Sequence, residues 1–288
     1  MPKHPSWIKV RVPTPAQSAG MADMRDLLAR HNLETVCQGA QCPNAVECWS
    51  ARTATFMVLG ATCTRGCRFC DVPTGDPQGI VDGDEATRLA SAVGELGLQY
   101  VVLTSVDRDD LPDGGAAAFA RVIDAITQSA GTITIEVLIP DFSGRRQSLD
   151  CIAATDAHVI GHNLETVRRL TPALRDRRAG YSQSLDVLRY LSEISGGRMI
   201  KSGLMVGLGE SLNEIQEAMA DLRHAGVSMV TLGQYLQPSS TSIPVSRFVP
   251  PEEFGLLEAA GYAMGFKAVI AGPLVRSSYH AAAAYNAT

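Results

Sequence analysis

Cys63-Thr-Arg-Gly-Cys67-Arg-Phe-Cys70 follows closely on the apolar run Thr55-Phe-Met-Val-Leu59, and its C-x3-C-x2-C spacing is the centre from which the chain is read. Upstream lies the chain's first cysteine group, Cys37, Cys42 and Cys48, as C-x4-C-x5-C, and Cys63 to Cys70 is the second, so six of the seven cysteines fall within one short stretch. Cysteines serving only as small apolar residues would be scattered through the core, so the bunching points to disulfides or to metal. Met1 to Gln17 holds Lys3, His4, Lys9, Arg11 and several prolines, with no apolar run of the kind that marks a secretory leader. The expected compartment is the reducing cytoplasm, where metal or redox chemistry is favoured over a disulfide framework. Three thiolates on one loop wrap three corners of a cubane iron–sulfur cluster and leave the fourth iron open to a ligand. Zinc is the alternative, but a structural zinc site takes four protein ligands, and no fourth Cys or His stands nearby.

Composition sets wider bounds. A chain of 288 residues suits one large α/β domain with appendages, and 45% apolar with 19% charged residues is ordinary for a globular protein with a substantial core. The net charge of -5 argues against a general nucleic-acid binder. No apolar run approaches the ~18 residues needed to cross a bilayer, so neither nucleic acid nor membrane is an expected partner. No Walker-type phosphate loop and no G-x-S-x-G elbow occurs. His31, His158, His162 and His280 are candidate bases or ligands, against the commoner role of a hydrogen-bonded structural histidine. Cys151, within Leu149-Asp-Cys-Ile-Ala-Ala, is expected to be a buried core thiol.

Residues 1 to 20 are proline-rich and read as an irregular arm. Met21, Met24, Leu27 and Leu28 at helical spacing predict a helix over Met21 to His31, and Asn44 to Ser50 reads as another turn of helix. From Thr53 onward β-rich runs alternate with helical patterns. Strands are predicted at Thr55 to Leu59, Tyr100 to Ser105, Thr132 to Ile139, His158 to His162, Ile200 to Val206 and Met229 to Gln234. Helices are predicted at Asp84 to Leu96, Gly115 to Ser129, Leu164 to Leu170, Ser182 to Glu193 and Ser211 to His224. A last helix, Pro251 to Met264, and a short strand, Lys267 to Ile270, precede an alanine-rich tail from Ala281 that reads as frayed. This rhythm implies βαβ units and a parallel sheet, hence a partial or complete barrel, with a doubly wound open sheet as the alternative. Ligands of such folds sit at the carboxyl ends of the strands. Thr104 to Asp110, Glu136, His162 to Glu165 and Gly207 to Glu210 stand there, and the second cysteine group follows the first strand of the series.

The Cys63, Cys67 and Cys70 motif resembles that of the radical S-adenosylmethionine enzymes. The resemblance implies a partial (βα)6 TIM-like barrel and a 4Fe-4S cluster whose open iron is chelated by the methionyl end of S-adenosylmethionine. One electron then cleaves that cofactor to methionine and a hydrogen-abstracting 5'-deoxyadenosyl radical. Phe69 matches the aromatic position beside the adenine. Gly203-Leu-Met-Val-Gly207-Leu-Gly-Glu210 is similar to the family's G-x-I-x-G-x-x-E element, with Leu204-Met205 where isoleucine is commoner. Asn163 and Glu165 resemble the pair that hydrogen-bonds the ribose, the alternative being an ordinary helix start. Thr104, Ser105 and Asp107 stand where the family binds the methionyl amine, although no literal G-G-E occurs. Glu136 joins the cofactor-binding candidates from its position inside the third strand. Arg178 would pair with the cofactor carboxylate, unless the run from Arg175 is a solvated face.

The first cysteine group is similar to the lipoyl synthase family, in which it holds a second, auxiliary 4Fe-4S cluster. Thr104-Ser-Val-Asp-Arg-Asp-Asp-Leu111, Lys201-Ser-Gly-Leu-Met205, Gly233-Gln-Tyr-Leu236 and Gly272-Pro-Leu-Val-Arg-Ser-Ser-Tyr-His280 also look like segments of that family. The resemblance implies closure of the auxiliary cluster by a serine oxygen, Ser277, with Ser278 still open. It implies insertion of sulfur at carbons 6 and 8 of a protein-bound octanoyl chain, with two S-adenosylmethionine molecules used and the auxiliary cluster consumed. The implied partners are octanoylated lipoyl-carrier proteins, namely glycine cleavage H protein and the lipoyl domains of 2-oxoacid dehydrogenase complexes. A ferredoxin or flavodoxin electron donor and an iron–sulfur carrier for cluster repair complete the set. The expected organisation is an N-terminal arm with the auxiliary segment over 1–52, the barrel over 53–265 and a closing C-terminal segment over 266–288. Methylthiotransferases and biotin synthase relatives are the enzymatic rivals, and a non-catalytic iron–sulfur or zinc protein is the rival of another class.

Overall fold

The computed structural model describes residues 4–9, 13–39, 42, 44–50, 53–129 and 131–287; the expected arm lies outside them at 1–3 and 10–12. The chain forms two compact units from interleaved stretches: 10–64 with 72–159, and 1–9 with 65–71 and 160–288.

In the first of these, helix α1 (Pro15–Arg30) starts earlier than the spacing of its methionines and leucines predicts. Thr14 caps it, exchanging hydrogen bonds with Gln17 in a capping box, and Pro15 occupies the first turn, where its missing N–H costs nothing. Met24, Leu27 and Leu28 are its buried face. β1 (Glu34–Thr35) pairs antiparallel with β2 (Thr53–Val58), and the short helices α2 (Val36–Gly39) and α3 (Ala45–Ser50) lie between them in sequence. Parallel ladders then join β2 to β3 (Tyr100–Ser105) and β3 to β4 (Thr134–Leu138), with Phe56 opposite Leu103 and Val102 opposite Glu136. Phe56, Val58, Val101, Val102, Leu103 and Val137 are fully buried, as in a parallel sheet covered on both faces. Helices α4 (Glu85–Leu96), α5 (Ala116–Ser129) and α6 (Arg146–Ala153) supply the cover, and Arg30 and His31 at the end of α1 both reach Glu95 of α4, at 2.6 and 2.9 Å.

At β5 (Val159–Gly161) the chain passes into the other unit. There α7 (Thr171–Leu174), α8 (Tyr181–Ile194), α9 (Leu212–His224), α10 (Pro251–Ala263) and α11 (Ala281–Asn286) accompany three parallel strands, β6 (Met199–Val206), β7 (Met229–Gln234) and β8 (Ala268–Gly272). Ser211 and Glu214 form the capping box that starts α9. His4 packs edge-on against Phe248, ring centres 5.6 Å apart, and Ile8 is buried. Within each unit the strands neighbour one another in chain order, β1 to β4 in the first and β6 to β8 in the second.

Two expectations are corrected. Leu164 to Leu170 is no helix: Glu165 adopts a left-handed backbone with φ of 70° and bridges to Leu204, so this stretch leans on β6 instead of coiling. The alanine-rich tail is no frayed end, because Ala281 is buried at the start of α11.

Candidate functional site

The cysteine loop leaves β2 through Leu59, in left-handed conformation at φ of 69°, and Gly60. The Leu59 amide donates to both oxygens of Glu85, at 3.1 and 3.0 Å, which fixes the exit from the strand. Cys63 is held by its backbone: its amide donates to the Pro73 carbonyl at 2.8 Å and its carbonyl accepts from the Gly75 amide at 2.9 Å. The Cys63 sulfur lies 3.9 Å from Asp107 Oδ2. The Thr64 amide and hydroxyl both donate to the Asp107 carbonyl at 3.0 Å, and the Ser143 hydroxyl donates to Asp109 at 3.1 Å. The segment after β3 is thus the bed on which the loop's first cysteine rests.

Beside that bed, Thr104 at the carboxyl end of β3 donates to the Leu138 carbonyl at 2.9 Å, and the Ser105 hydroxyl donates to the Val106 carbonyl at 2.9 Å. Glu136 lies deeper in its strand, 1% exposed, and accepts from the Tyr100 hydroxyl at 2.6 Å. Tyr100 is the partner that strand periodicity offered, since it precedes Val102, the residue opposite Glu136, by two positions on the same face.

The auxiliary group lies on and between α2 and α3. The Cys42 amide donates to the Cys37 carbonyl at 3.0 Å, and the Cys48 amide donates to the Asn44 carbonyl at 2.9 Å in the first turn of α3. Burial pushes the Cys37 thiol up, and the Cys42 sulfur adds to that push. The Trp49 indole N–H is buried and faces the Cys37 sulfur, opposing the upward push of burial, without a hydrogen bond of full geometry to any acceptor. A buried donor left open next to a thiol fits a thiolate or a sulfide, the acceptors that an iron–sulfur cluster brings. Among the described residues no three Cys, His, Asp or Glu side chains converge as ligands of a single metal ion; a cubane takes its cysteines on separate irons.

In the other unit, residues 65–71 lie against the turn that follows α7. The Arg68 amide donates to the Leu174 carbonyl at 2.8 Å, and the Ile243 amide donates to the Arg68 carbonyl at 3.0 Å. Phe69 packs with Leu170, Met205, Ile243 and Val245 on the buried cluster of Leu174, Leu208 and Tyr235. The Arg175–Arg178 run is not uniform. Arg175 turns inward, its Nη1 donating to the Ser184 hydroxyl at 2.7 Å while its buried Nε has no partner. Arg178 grips Asp176 instead, Nε to Oδ1 at 2.8 Å, and that pairing holds the Asp176 carboxyl well below the usual carboxylate range. The sequence reading counted Arg175 only as part of a basic run with a solvated face as its alternative, and it overlooked Asp176; the available signal was a lone carboxylate inside that run.

Asn163 and Glu165 follow β5. A Cβ at Gly203 would stand 2.9 Å from Asn163 Oδ1 and 2.8 Å from the Thr231 hydroxyl, so the glycine makes room for the asparagine side chain. Glu165 is pinned by its backbone, its amide donating to the Gly203 carbonyl at 3.0 Å and its carbonyl accepting from the Met205 amide at 2.8 Å. Burial pushes its carboxyl up, opposed by the charge of Arg175 and a hydrogen bond from Asn163. His162 shares Ser184 with Arg175, Nε2 to Oγ at 2.9 Å, which is a structural role. Glu210 shapes its own loop, its carboxylate accepting from the Gly207 and Leu208 amides at 2.5 and 2.9 Å.

Ser277 stands half-buried in the turn after β8. Arg276 fixes that turn, Nη1 donating to the Val275 carbonyl at 2.7 Å and the Gln234 carbonyl at 3.3 Å. Gly233 has no side chain because the Val275 carbonyl occupies the place of its Cβ.

A family model described as the radical SAM superfamily matches residues 57–222. The chain is 53% identical to a lipoyl synthase of Thermus thermophilus over 96% of its own length and 85% of that protein's. It is 52% identical to a lipoyl synthase of Pyrobaculum arsenaticum, with 98% and 95% covered. Among solved structures it resembles the FeFe-hydrogenase maturase HydG of Carboxydothermus hydrogenoformans, with a TM-score of 0.61 at 13% identity over 94% of this chain and 69% of that one. Streptococcus suis SuiB bound to S-adenosylmethionine gives a TM-score of 0.61 at 10% identity, covering 92% of this chain and 57% of SuiB. At such identities these two share the fold alone.

Proposed function

We propose a division of labour among these residues from a plain premise: the chain belongs to the lipoyl synthase family, within the radical SAM superfamily. The reaction is insertion of two sulfur atoms, at carbons 6 and 8 of an octanoyl chain carried on a lysine of a lipoyl-carrier protein. The observation that carries this reading is the pair of cysteine triplets, C-x4-C-x5-C and C-x3-C-x2-C, in a chain about half identical to lipoyl synthases from end to end. When bound, one cluster delivers the electron that turns S-adenosylmethionine into a hydrogen abstractor, and the auxiliary cluster supplies the sulfur.

Cys63, Cys67 and Cys70 hold the first cluster and leave its fourth iron to the cofactor. Phe69 offers its partly buried ring to the adenine from within its apolar cluster. Asn163 and Glu165 take the ribose hydroxyls; a backbone-pinned acceptor spends little ordering entropy when it binds. Thr104, Ser105, Glu136 and Arg178 complete the cofactor-binding set, while Glu210 serves it by holding the Gly207–Leu208 turn. Cys37, Cys42 and Cys48 hold the auxiliary cluster, with Ser277 as its oxygen ligand and Ser278 the alternative. Oxygen is a harder and weaker ligand for iron than thiolate, so Ser277 would hold its iron more loosely than the three cysteines would hold theirs.

In this scheme residues 1–52 carry the sulfur donor, 53–265 the radical chemistry and 266–288 the closing ligand. The carriers are glycine cleavage H protein and the lipoyl domains of 2-oxoacid dehydrogenase complexes, the electron donor a ferredoxin or flavodoxin, and an iron–sulfur carrier rebuilds the auxiliary cluster. No helix among the described residues is long and apolar enough to cross a membrane, and the proposed compartment is the cytoplasm. The test is anaerobic incubation of reconstituted protein with S-adenosylmethionine, a reductant and an octanoyl-lysine peptide, followed by mass spectrometry. Two sulfur atoms gained by the peptide support the proposal, whereas deoxyadenosine without sulfur gain keeps the radical class and rejects lipoyl formation.

A further inference from the structure

The loop that carries Cys67 and the turn after α7 are joined in both directions. The Gly66 amide donates to Asp176 Oδ2 at 3.0 Å, and the Asp176 main-chain N–H returns a hydrogen bond to the Cys67 sulfur at 3.3 Å. The same carboxylate braces its own turn, Oδ1 accepting from the Arg178 amide at 3.0 Å and from Arg178 Nε at 2.8 Å, and Oδ2 from Nη2 at 3.1 Å. The side chain therefore fixes the position of a main-chain donor that it does not itself contain.

We propose that Asp176 is a positioning residue for the cluster on Cys63, Cys67 and Cys70: its carboxylate presses the turn onto the loop so that its own N–H donates to the Cys67 thiolate and raises the cluster's reduction potential. The proposal rests on the reading of Cys67 as a cluster ligand. Hydrogen bonds to cluster sulfurs are one of the protein's means of setting such potentials, because the donor dipole stabilises the additional negative charge of the reduced state. Asp176→Ala leaves the N–H in the chain but removes what holds it in place. It also removes a negative charge and leaves Arg178 uncompensated, and by charge alone that would raise the potential. The sign of the change thus separates lost placement from lost charge.

The experiment uses the full chain carrying Cys37→Ala, Cys42→Ala and Cys48→Ala, so that a single cluster is observed. Iron analysis comes first: about four irons per chain are expected, and an apo protein would overturn both the ligand reading and this inference. Potentiometric titration followed by electron paramagnetic resonance should then show the Asp176→Ala cluster harder to reduce. The expected ratio of reduced to oxidised cluster is about tenfold lower at the same solution potential, equivalent to about 59 mV for one electron. An unchanged or raised potential overturns the proposal. A second measurement does not depend on the variant: in heavy water the reduced cluster of the Asp176-bearing chain should show coupling to an exchangeable deuteron at hydrogen-bond distance from a ligand sulfur. Its absence overturns the proposal.

Discussion

Arg108 and Asp110 lock together at two points, Nε on Oδ1 at 2.8 Å and Nη2 on Oδ2 at 2.7 Å, with the arginine fully buried. The same guanidinium donates to the Leu59 carbonyl at 3.1 Å and the Ile80 carbonyl at 2.8 Å, the two stems that bracket the cysteine loop. Removing the cation would leave Asp110, the buried Leu59 carbonyl and the Ile80 carbonyl short of a donor. Arg108→Gln is expected to cost roughly 3–5 kcal/mol in urea unfolding, the range for breaking a buried pair from one side. Arg108→Lys should recover little of it, because an ammonium cannot serve three acceptors in one plane. A loss below about 1 kcal/mol would remove the clamp from the account of the loop.

Acid should weaken the same clamp in a defined direction. The Arg108 hydrogen bonds, with one from the Gly79 amide, hold the Asp110 carboxyl below its ordinary value of 3.8 against the opposing pull of burial. A depressed folded value stabilises the protein above the unfolded value, and that stability is lost as pH falls through the folded one. Asp110→Asn is therefore expected to melt lower than the parent near neutrality, with a gap that narrows on acidification below 3.8. Melting curves recorded across that range check it, and a gap that stays constant counts against the clamp.

The legible parts of this molecule were those where local pattern and tertiary need coincide. β3 and β7 begin and end where their apolar runs predict, Tyr100–Ser105 and Met229–Gln234, because strands buried on both faces are written as unbroken apolar sequence. The stretch from Leu164 failed for the opposite reason. Leu164, Val167 and Leu170 stand at spacing compatible with a helix, yet the backbone bond from Met205 to Glu165 claims the chain for β6. The cysteines could be found by spacing alone. Asp176 could not, since its effect on Cys67 passes through a main-chain amide that any residue possesses, and only the fold shows which amide arrives there.

Gly207 and Gly209 flank Leu208 in the loop that Glu210 gathers, both with positive φ, 95° and 111°. A Cβ at Gly207 would stand 2.5 Å from the Arg247 carbonyl oxygen and closer still to the Gln234 amide. Gln234 cannot yield, for it donates to the carbonyls of Tyr235 and Arg247 and accepts from the Val249 amide. At Gly209 the nearest atom is Ser246 Oγ at 3.5 Å, an ordinary contact. Gly209→Ala should thus cost only backbone strain, about 1–3 kcal/mol, and Gly207→Ala a further 1–3 kcal/mol or so of overpacking. Denaturant midpoints of the two variants measure the difference, and equal losses would contradict the steric account.

Separating radical formation from sulfur delivery gives the last prediction. Cys67 belongs to the loop docked on Asp176, whereas Ser277 stands in a turn fixed by Arg276, so each can be removed without touching the other's anchors. Cys67→Ala deletes one of three thiolates that leave an iron open, and deoxyadenosine formation from S-adenosylmethionine is expected to fall to background. Ser277→Ala deletes the proposed oxygen ligand alone, so deoxyadenosine should persist at roughly tenfold or less below the parent, the lower end for losing a metal site's supporting group. Sulfur gain on an octanoyl-lysine peptide should be lost. Both products are read from the same anaerobic reaction by mass spectrometry. Normal deoxyadenosine from Cys67→Ala would refute the radical-cluster assignment. Full lipoyl formation by Ser277→Ala would move the ligand to Ser278, and the double variant decides between that serine and water.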